Sequence, residues 1–245
     1  MTRVLGIIPA RYASSRFPGK PLIDLKGKSM IQRVHEGVVQ STKIQDTVVA
    51  TDDHRIFEHV ENFGGKAVLT KESHQSGTDR CGEVIEYYKK AEIVLNIQGD
   101  EPLINFKQLD QLVDLFEDQS VSIGTLATNN SSLIELENPN RIKVVLDKQN
   151  NAMYFSRSLI PFNRVHSNYQ FLKHIGVYGF RSNVLRNLVN YKPSMLEQTE
   201  SLEQLRWMYY GHQIRVGITE IETPNIDTPA DVQQVLDYLN QQEKY

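Results

Sequence analysis

Over the first ~130 residues, short apolar runs of strand length alternate with segments whose apolar residues recur every three or four positions. That alternation constrains the fold more than any other feature of the chain. Val4–Ile8, Thr47–Thr51, Lys66–Leu69, Ile93–Ile97 and Val121–Ala127 read as strands. Between them, four sets of residues mark helix faces: Met30, Ile31, Val34 and Val38; Ile56, Val60 and Phe63; Cys81, Val84, Ile85 and Tyr88; and Leu109, Leu112, Val113 and Phe116. Ser29 stands where it can cap the first helix, and Gly64-Gly65 closes the second. Strands separated by helices pair in parallel, because each crossover returns the chain to the same end of the sheet. The pattern therefore predicts an α/β fold, a mostly parallel sheet flanked by helices in the Rossmann-like manner.

The rhythm changes beyond that point. Glu135–Arg141 reads as a polar turn, and Ile142–Asp147, Ala152–Arg157 and Phe171–Phe180 as strands with longer connections around an exposed loop, Asn163–Tyr169. Helices are expected over Asn183–Asn190 and Met195–Tyr210, and a strand over Ile214–Ile221. Thr228-Pro229-Ala230-Asp231 reads as a helix start, with Val232, Val235, Leu236 and Leu239 as the inner face. No linker-like tract interrupts the chain, so we expect one domain over 1–245 with an inserted, strand-containing subregion around 130–195.

Composition sets the remaining bounds. A chain of 245 residues with 40% hydrophobic and 23% charged content buries a full core. A net charge of −3 gives no general basic field, so no nucleic-acid partner is expected. Cys81 is the single cysteine, which excludes an internal disulfide, and its place in a helix face predicts burial. No apolar stretch approaches membrane-spanning length, and Pro9 cuts the first run short of a signal peptide. No membrane association and an intracellular setting are the expectation.

Chemistry is expected at the carboxyl ends of parallel strands. The first such end carries Pro9, Ala10, Arg11, Ser14, Ser15, Arg16, Gly19 and Lys20. Three cations and several small residues suit a polyphosphate, since small side chains let backbone N–H groups approach an anion that the cations neutralise. The competing reading is a solvated basic loop. Neither G-x-x-x-x-G-K-[ST] nor G-x-G-x-x-G is present: Lys20 is followed by Pro21, and Ser14 stands where the first glycine of the former would fall. The next end is Gln98-Gly99-Asp100-Glu101-Pro102. Asp100 is either a magnesium ligand facing phosphates or a turn residue. Asp227, before the last helix, is either a second such ligand or a carboxylate that supports the helix dipole.

The segment Ile8–Leu22 (IPARYASSRFPGKPL) resembles the N-terminal signature of the sugar-acid cytidylyltransferases, most nearly those acting on 3-deoxy-manno-octulosonate (Kdo). The resemblance continues in order through Gln75–Arg80 (QSGTDR), Gln98–Pro102 (QGDEP), Asn138–Asn140 (NPN), Lys143–Asp147 (KVVLD), Tyr154–Arg157 (YFSR), Lys173–Gly179 (KHIGVYG), Leu202–Arg206 (LEQLR) and Asp227–Pro229 (DTP). It implies a nucleotide-diphospho-sugar transferase-like fold and transfer of CMP from CTP to the anomeric hydroxyl of Kdo. It further implies release of pyrophosphate and supply of CMP-Kdo to lipopolysaccharide assembly in the cytoplasm by a homodimer.

The resemblance also assigns residues. Arg11, Arg16 and Lys20 hold the leaving pyrophosphate, and Asp100 and Asp227 hold Mg²⁺. Pro9, Ala10, Arg11, Ser14, Arg16, Lys20, Gln75, Ser76 and Arg80 take the nucleotide. Gln98, Arg157, His174, Tyr178, Glu203 and Gln204 take the sugar, with Arg157 toward its carboxylate. His174 and Tyr178 lie four apart in a strand and so point to one face. They also read as core residues with satisfied polar ends, and Glu203 as a solvated helix position. Two rival functions stand beside this one. The first is a cytidylyltransferase of the same fold for 8-amino-Kdo or a sialic acid. The second is a nucleotide-binding regulatory module without activity.

Overall fold

The computed structural model describes residues 3–13, 17–129, 132–226 and 228–242. They contain nine strands: β1 Val4–Ala10, β2 Asp46–Thr51, β3 Ala67–Leu69, β4 Ile93–Asn96, β5 Ile123–Thr128, β6 Lys143–Leu146, β7 Ala152–Ser156, β8 Leu172–Arg181 and β9 Arg215–Ile218. The α-helices are α1 Met30–Val38, α2 His54–Asn62, α3 Gly77–Val84, α4 Phe106–Asp114, α5 Leu133–Glu137, α6 Ser182–Leu188, α7 Met195–Glu200, α8 Gln204–Tyr209 and α9 Asp231–Gln242. Two compact units result, one from 1–110 together with 223–245, the other from 111–222.

In the first unit β3, β2, β1 and β4 lie side by side in that order, all parallel, with Leu5 opposite Asp46 on one side and Val94 on the other. Ile7, Ile8, Val48, Val49, Val94 and Leu95 are fully buried, which explains their unbroken apolar runs: a sheet covered on both faces has no polar side. Each such side chain contributes roughly 1.5–3 kcal/mol. A Cβ on Gly6 would meet Val38 of α1, whereas Gly77 of α3 lies against Pro9. Residues 6 and 9 point to opposite faces, so α1 and α3 cover opposite sides of β1.

The Ser29 hydroxyl caps α1 by accepting the Gln32 N–H at 3.2 Å. Ser76 and Asp79 close a reciprocal capping box that starts α3 at Gly77, ahead of the apolar residues that mark its face. The last helix packs as its sequence face predicts: Val235 joins Leu25, Met30 and Ile226 in a buried cluster, with Val232, Leu236, Leu239 and Phe17 against it.

In the second unit β5 is central, antiparallel to β8 and parallel to β9, while β6 pairs antiparallel with both β7 and β8. The β5–β8 register slips between Thr125 and Leu126, which pair with Tyr178 and Ile175. Phe155, Phe180 and Trp207 are buried beside this irregularity.

Four local expectations are corrected. Pro9 continues β1 rather than ending it: the N–H it lacks would face the β4 side, where β4 has already stopped at Asn96. Glu135–Arg141 is not all turn, because Ser132 accepts the Glu135 N–H and starts α5. Met195–Tyr210 breaks into α7 and α8 at Ser201, which adopts left-handed φ of 51°. Thr228-Pro229-Ala230 forms a turn before α9, its Thr228 N–H and hydroxyl donating to Asp231.

Candidate active site

In the first unit the ends of β1 and β4 open a cleft of about 860 Å³, part of it open solvent. Pro9, Ala10 and Arg11 form one wall, Lys20 and Pro21 another, Gln75, Ser76 and Arg80 a third, and Gln98, Gly99 and Asp100 the floor. Of the nucleotide residues expected from the sequence, all but two meet here; Ser14 and Arg16 lie outside the described residues. Gln98, assigned to the sugar, sits on the same floor.

Gly19 shapes the loop that returns to the cleft. Its φ is 71°, and its N–H donates to the Tyr12 carbonyl at 3.0 Å, closing the loop at its base. The Tyr12 ring lies under the Arg55 guanidinium, 3.3 Å from the ring centroid. Lys20 follows directly and donates to Asp100 Oδ2 and the Ile226 carbonyl, both at 2.8 Å. Gly99 is needed because the Pro9 carbonyl comes so near that a Cβ would stand 2.6 Å from its oxygen. Gly99→Ala should therefore displace the Gln98–Asp100 floor. Overpacking of this kind costs about 1–3 kcal/mol. A lower thermal midpoint together with a lower kcat/KM for the nucleotide is the expected measurement.

Arg80 is a fixed part of the wall. It is 3% exposed, and its guanidinium donates to Asp52 Oδ2 at 2.6 Å and to the Thr70 hydroxyl. Sequence reasoning missed His74, which also lines the cleft and is bonded to Glu83 at 2.5 Å. Burial pushes Glu83 up, but the Lys71 N–H and His74 outweigh it and hold the carboxyl below its usual range. The one available signal was its place just before Gln75-Ser76.

Among the described residues no group of three or more His, Cys, Asp or Glu forms a metal site. Asp100 is a partly exposed carboxylate in the cleft. A single such ligand fits magnesium, which takes one or two carboxylates and completes its shell with phosphate oxygens and water. Asp227, the proposed partner, lies outside the described residues.

The remaining residues expected to take the sugar all lie in the second unit. The His174 and Tyr178 rings are 5.3 Å apart on one face of β8, and Tyr178 meets Trp207 edge-on at 5.0 Å. Burial pushes the Tyr178 hydroxyl up, helped by the charge of Glu203, and lowers His174 to about 3. The Tyr178 hydroxyl and Trp207 Nε1 are buried without a hydrogen-bond partner among the described residues. Buried polar atoms of this kind are usually satisfied, so this pair marks a place for a polar ligand. Gln204 is buried, and Glu203, at the start of α8, pairs with Arg206 at 3.3 Å.

Arg157 is more engaged than its sequence suggests. Its guanidinium donates to the carbonyls of Glu200, Pro139 and Ser201, and its N–H to the Glu200 carboxylate. Lys143 is fully buried and donates to the carbonyls of Asn138, Arg141 and Arg157, so burial lowers its ammonium pKa. The end of β7 is thus clamped to the α7–α8 turn that carries Glu203.

A parallel sheet with a cation- and carboxylate-lined cleft at its carboxyl end defines a nucleotide-handling α/β enzyme. The cytidylyltransferase family pattern matches residues 5–214. The chain is 49% identical to the 3-deoxy-manno-octulosonate cytidylyltransferase of Porphyromonas gingivalis, over 98% of each chain. It is 47% identical to that of Thermodesulfovibrio yellowstonii, over 96% and 97%. A solved structure of CMP:2-keto-3-deoxy-manno-octonic acid synthetase complexed with CTP superposes with a TM-score of 0.94 at 42% identity, covering 98% of this chain and all of the other. The fold alone is shared with 4-diphosphocytidyl-2C-methyl-D-erythritol synthase from Anaerococcus prevotii, with a TM-score of 0.63 at 16% identity. The chain belongs to the cytidylyltransferase family, in its 3-deoxy-manno-octulosonate branch.

Proposed function

We propose that this enzyme transfers CMP from CTP to the anomeric hydroxyl of Kdo, giving CMP-Kdo and pyrophosphate. The observation that carries the reading is near-half identity over the whole length to enzymes named for that activity. The cleft adds a second line of support, since its cations and backbone suit a triphosphate. The test is pyrophosphate release on mixing the protein with CTP, Mg²⁺ and Kdo, beside 8-amino-Kdo and a sialic acid. Release with Kdo far exceeding the others is expected. Faster release with another acid would move the substrate assignment, and none with any acid would return the protein to a binding module.

In this reading the first unit holds CTP. Arg11, Arg16 and Lys20 neutralise the β- and γ-phosphates and so stabilise the departing pyrophosphate. Ser14, Gln75, Ser76 and the backbone of Pro9 and Ala10 bind the rest of the nucleotide, with Arg80 as rigid support. Asp100 and Asp227 would hold Mg²⁺, which supplies charge neutralisation at the α-phosphate and lowers the pKa of the attacking hydroxyl. Arg157 takes the sugar carboxylate with the N–H groups its carbonyl partners leave over, and Gln98, His174, Tyr178, Glu203 and Gln204 take its hydroxyls. Arg157→Ala should raise the KM for the sugar acid by tenfold or more, on the order expected for a lost charged hydrogen bond, while the KM for CTP stays within about twofold. Equal losses for both substrates, beside a fallen thermal midpoint, would leave Arg157 only its clamp on the α7–α8 turn.

Among the described residues no helix is long and apolar enough to cross a membrane. Action in the cytoplasm, supply of lipopolysaccharide assembly and a homodimer complete the proposal. Exposed Met153, Phe162 and Val165 in the inserted region support a self-association surface. Light scattering at micromolar concentration, with a monomer mass as the contrary result, tests the dimer.

A further inference from the structure

Thr125 is fully buried on β5, at the slip in the β5–β8 register. Its Oγ1 lies 2.7 Å from the Val177 carbonyl oxygen, 3.3 Å from that of Ile175 and 2.9 Å from His174 Nε2. A hydroxyl has one proton and two lone pairs, and a carbonyl oxygen only accepts. Were the proton turned toward His174, the lone pairs would face two carbonyl oxygens at close range. The proton therefore goes to Val177, and the contact with His174 is made by a proton that Nε2 carries.

We propose that Thr125 is a positioning residue that fixes His174 as the Nε2–H tautomer, leaving Nδ1 as a hydrogen-bond acceptor for a sugar hydroxyl. The slip in register makes this contact, because it brings the Ile175 and Val177 carbonyls and the His174 ring onto one hydroxyl. Phe155, edge-on at 5.1 Å, and Tyr178 hold the ring in place. Burial keeps the imidazole neutral, so the acceptor is present throughout the neutral range. A histidine set this way discriminates for a ligand O–H and against a ligand carbonyl or ether at the same place.

The use of Nδ1 rests on the reading of His174 as a sugar-binding group, whereas the tautomer does not, and the experiment separates them. Imidazole ¹⁵N chemical shifts of the labelled protein at pH 7, assigned with a His174→Gln sample, should show a protonated Nε2 and an unprotonated Nδ1. A protonated Nδ1 would overturn the proposal. Thr125→Val should disturb those shifts and raise the sugar KM about threefold to tenfold, the range for one neutral hydrogen bond, with the KM for CTP unchanged. Thr125→Ser keeps the hydroxyl and should restore both. Thr125→Val with wild-type shifts and wild-type sugar KM would also overturn it. His174→Gln with a wild-type sugar KM would remove His174 from the sugar site even if the tautomer is as derived.

Discussion

Asp100→Asn is expected to slow turnover by roughly 10²–10⁴-fold, several kcal/mol at about 1.4 kcal/mol per tenfold, with the fold intact. Asp100 is the carboxylate on the cleft floor, and the substitution keeps its size while removing its charge. Stability should change little: its pairing with Lys20 is partly exposed, and such pairs contribute about 0–1 kcal/mol. Asp227→Asn is the companion variant, since it too removes a charge while keeping the size of the side chain. Both should be measured across a magnesium titration, with thermal unfolding alongside. Wild-type turnover in Asp100→Asn at ordinary magnesium would reduce Asp100 to a partner of Lys20. A slow Asp100→Asn beside a normal Asp227→Asn would leave Asp100 holding the metal alone.

Lys20→Ala should lower kcat/KM for CTP by about ten- to hundred-fold, the value of a charged hydrogen bond to phosphate, and leave the KM for the sugar acid near wild type. In the structure the ammonium is held between Asp100 and the Ile226 carbonyl, so it is already in place beside the cleft. A nucleotide has to compete with Asp100 for it, and the larger charge of a triphosphate wins that competition. Unchanged kinetics toward CTP, with only a lower thermal midpoint, would make Lys20 a tether between segments and nothing more.

Much of the architecture could be read because burial writes itself locally. Strands covered on both faces, such as β1, must be apolar without interruption, and α9 must show Val232, Val235, Leu236 and Leu239 on one side. Pro9 misled because its missing N–H matters only where a neighbouring strand needs it, and the length of β4 is not a local property. Ser201 gives no glycine or proline signal for the break between α7 and α8. The cleft was legible where it follows strand ends, in Arg11, Lys20 and Asp100. His74, Thr125 and Trp207 were not, since what singles them out is a contact with a residue brought from elsewhere in the chain. Arg157 shows the same limit: its carbonyl partners at Pro139 and Glu200 lie 18 and 43 positions away.

The Ile226 segment has a temporal consequence. Its carbonyl receives Lys20, its N–H donates to the Asp100 carbonyl at 3.0 Å, and its side chain packs on Leu25 and Met30. A ribosome making this chain releases β1 through β4 first, then all of residues 111–222, and only afterwards the piece that fastens the first unit. Until then Leu25 and Met30 lack their cover, and Lys20 lacks one of its two acceptors. The nascent enzyme thus carries a half-built nucleotide pocket through most of its synthesis, with apolar surface open to a chaperone. For the same reason, proteolytic trimming that reaches α9 would loosen the cleft of the first unit before it touched the second.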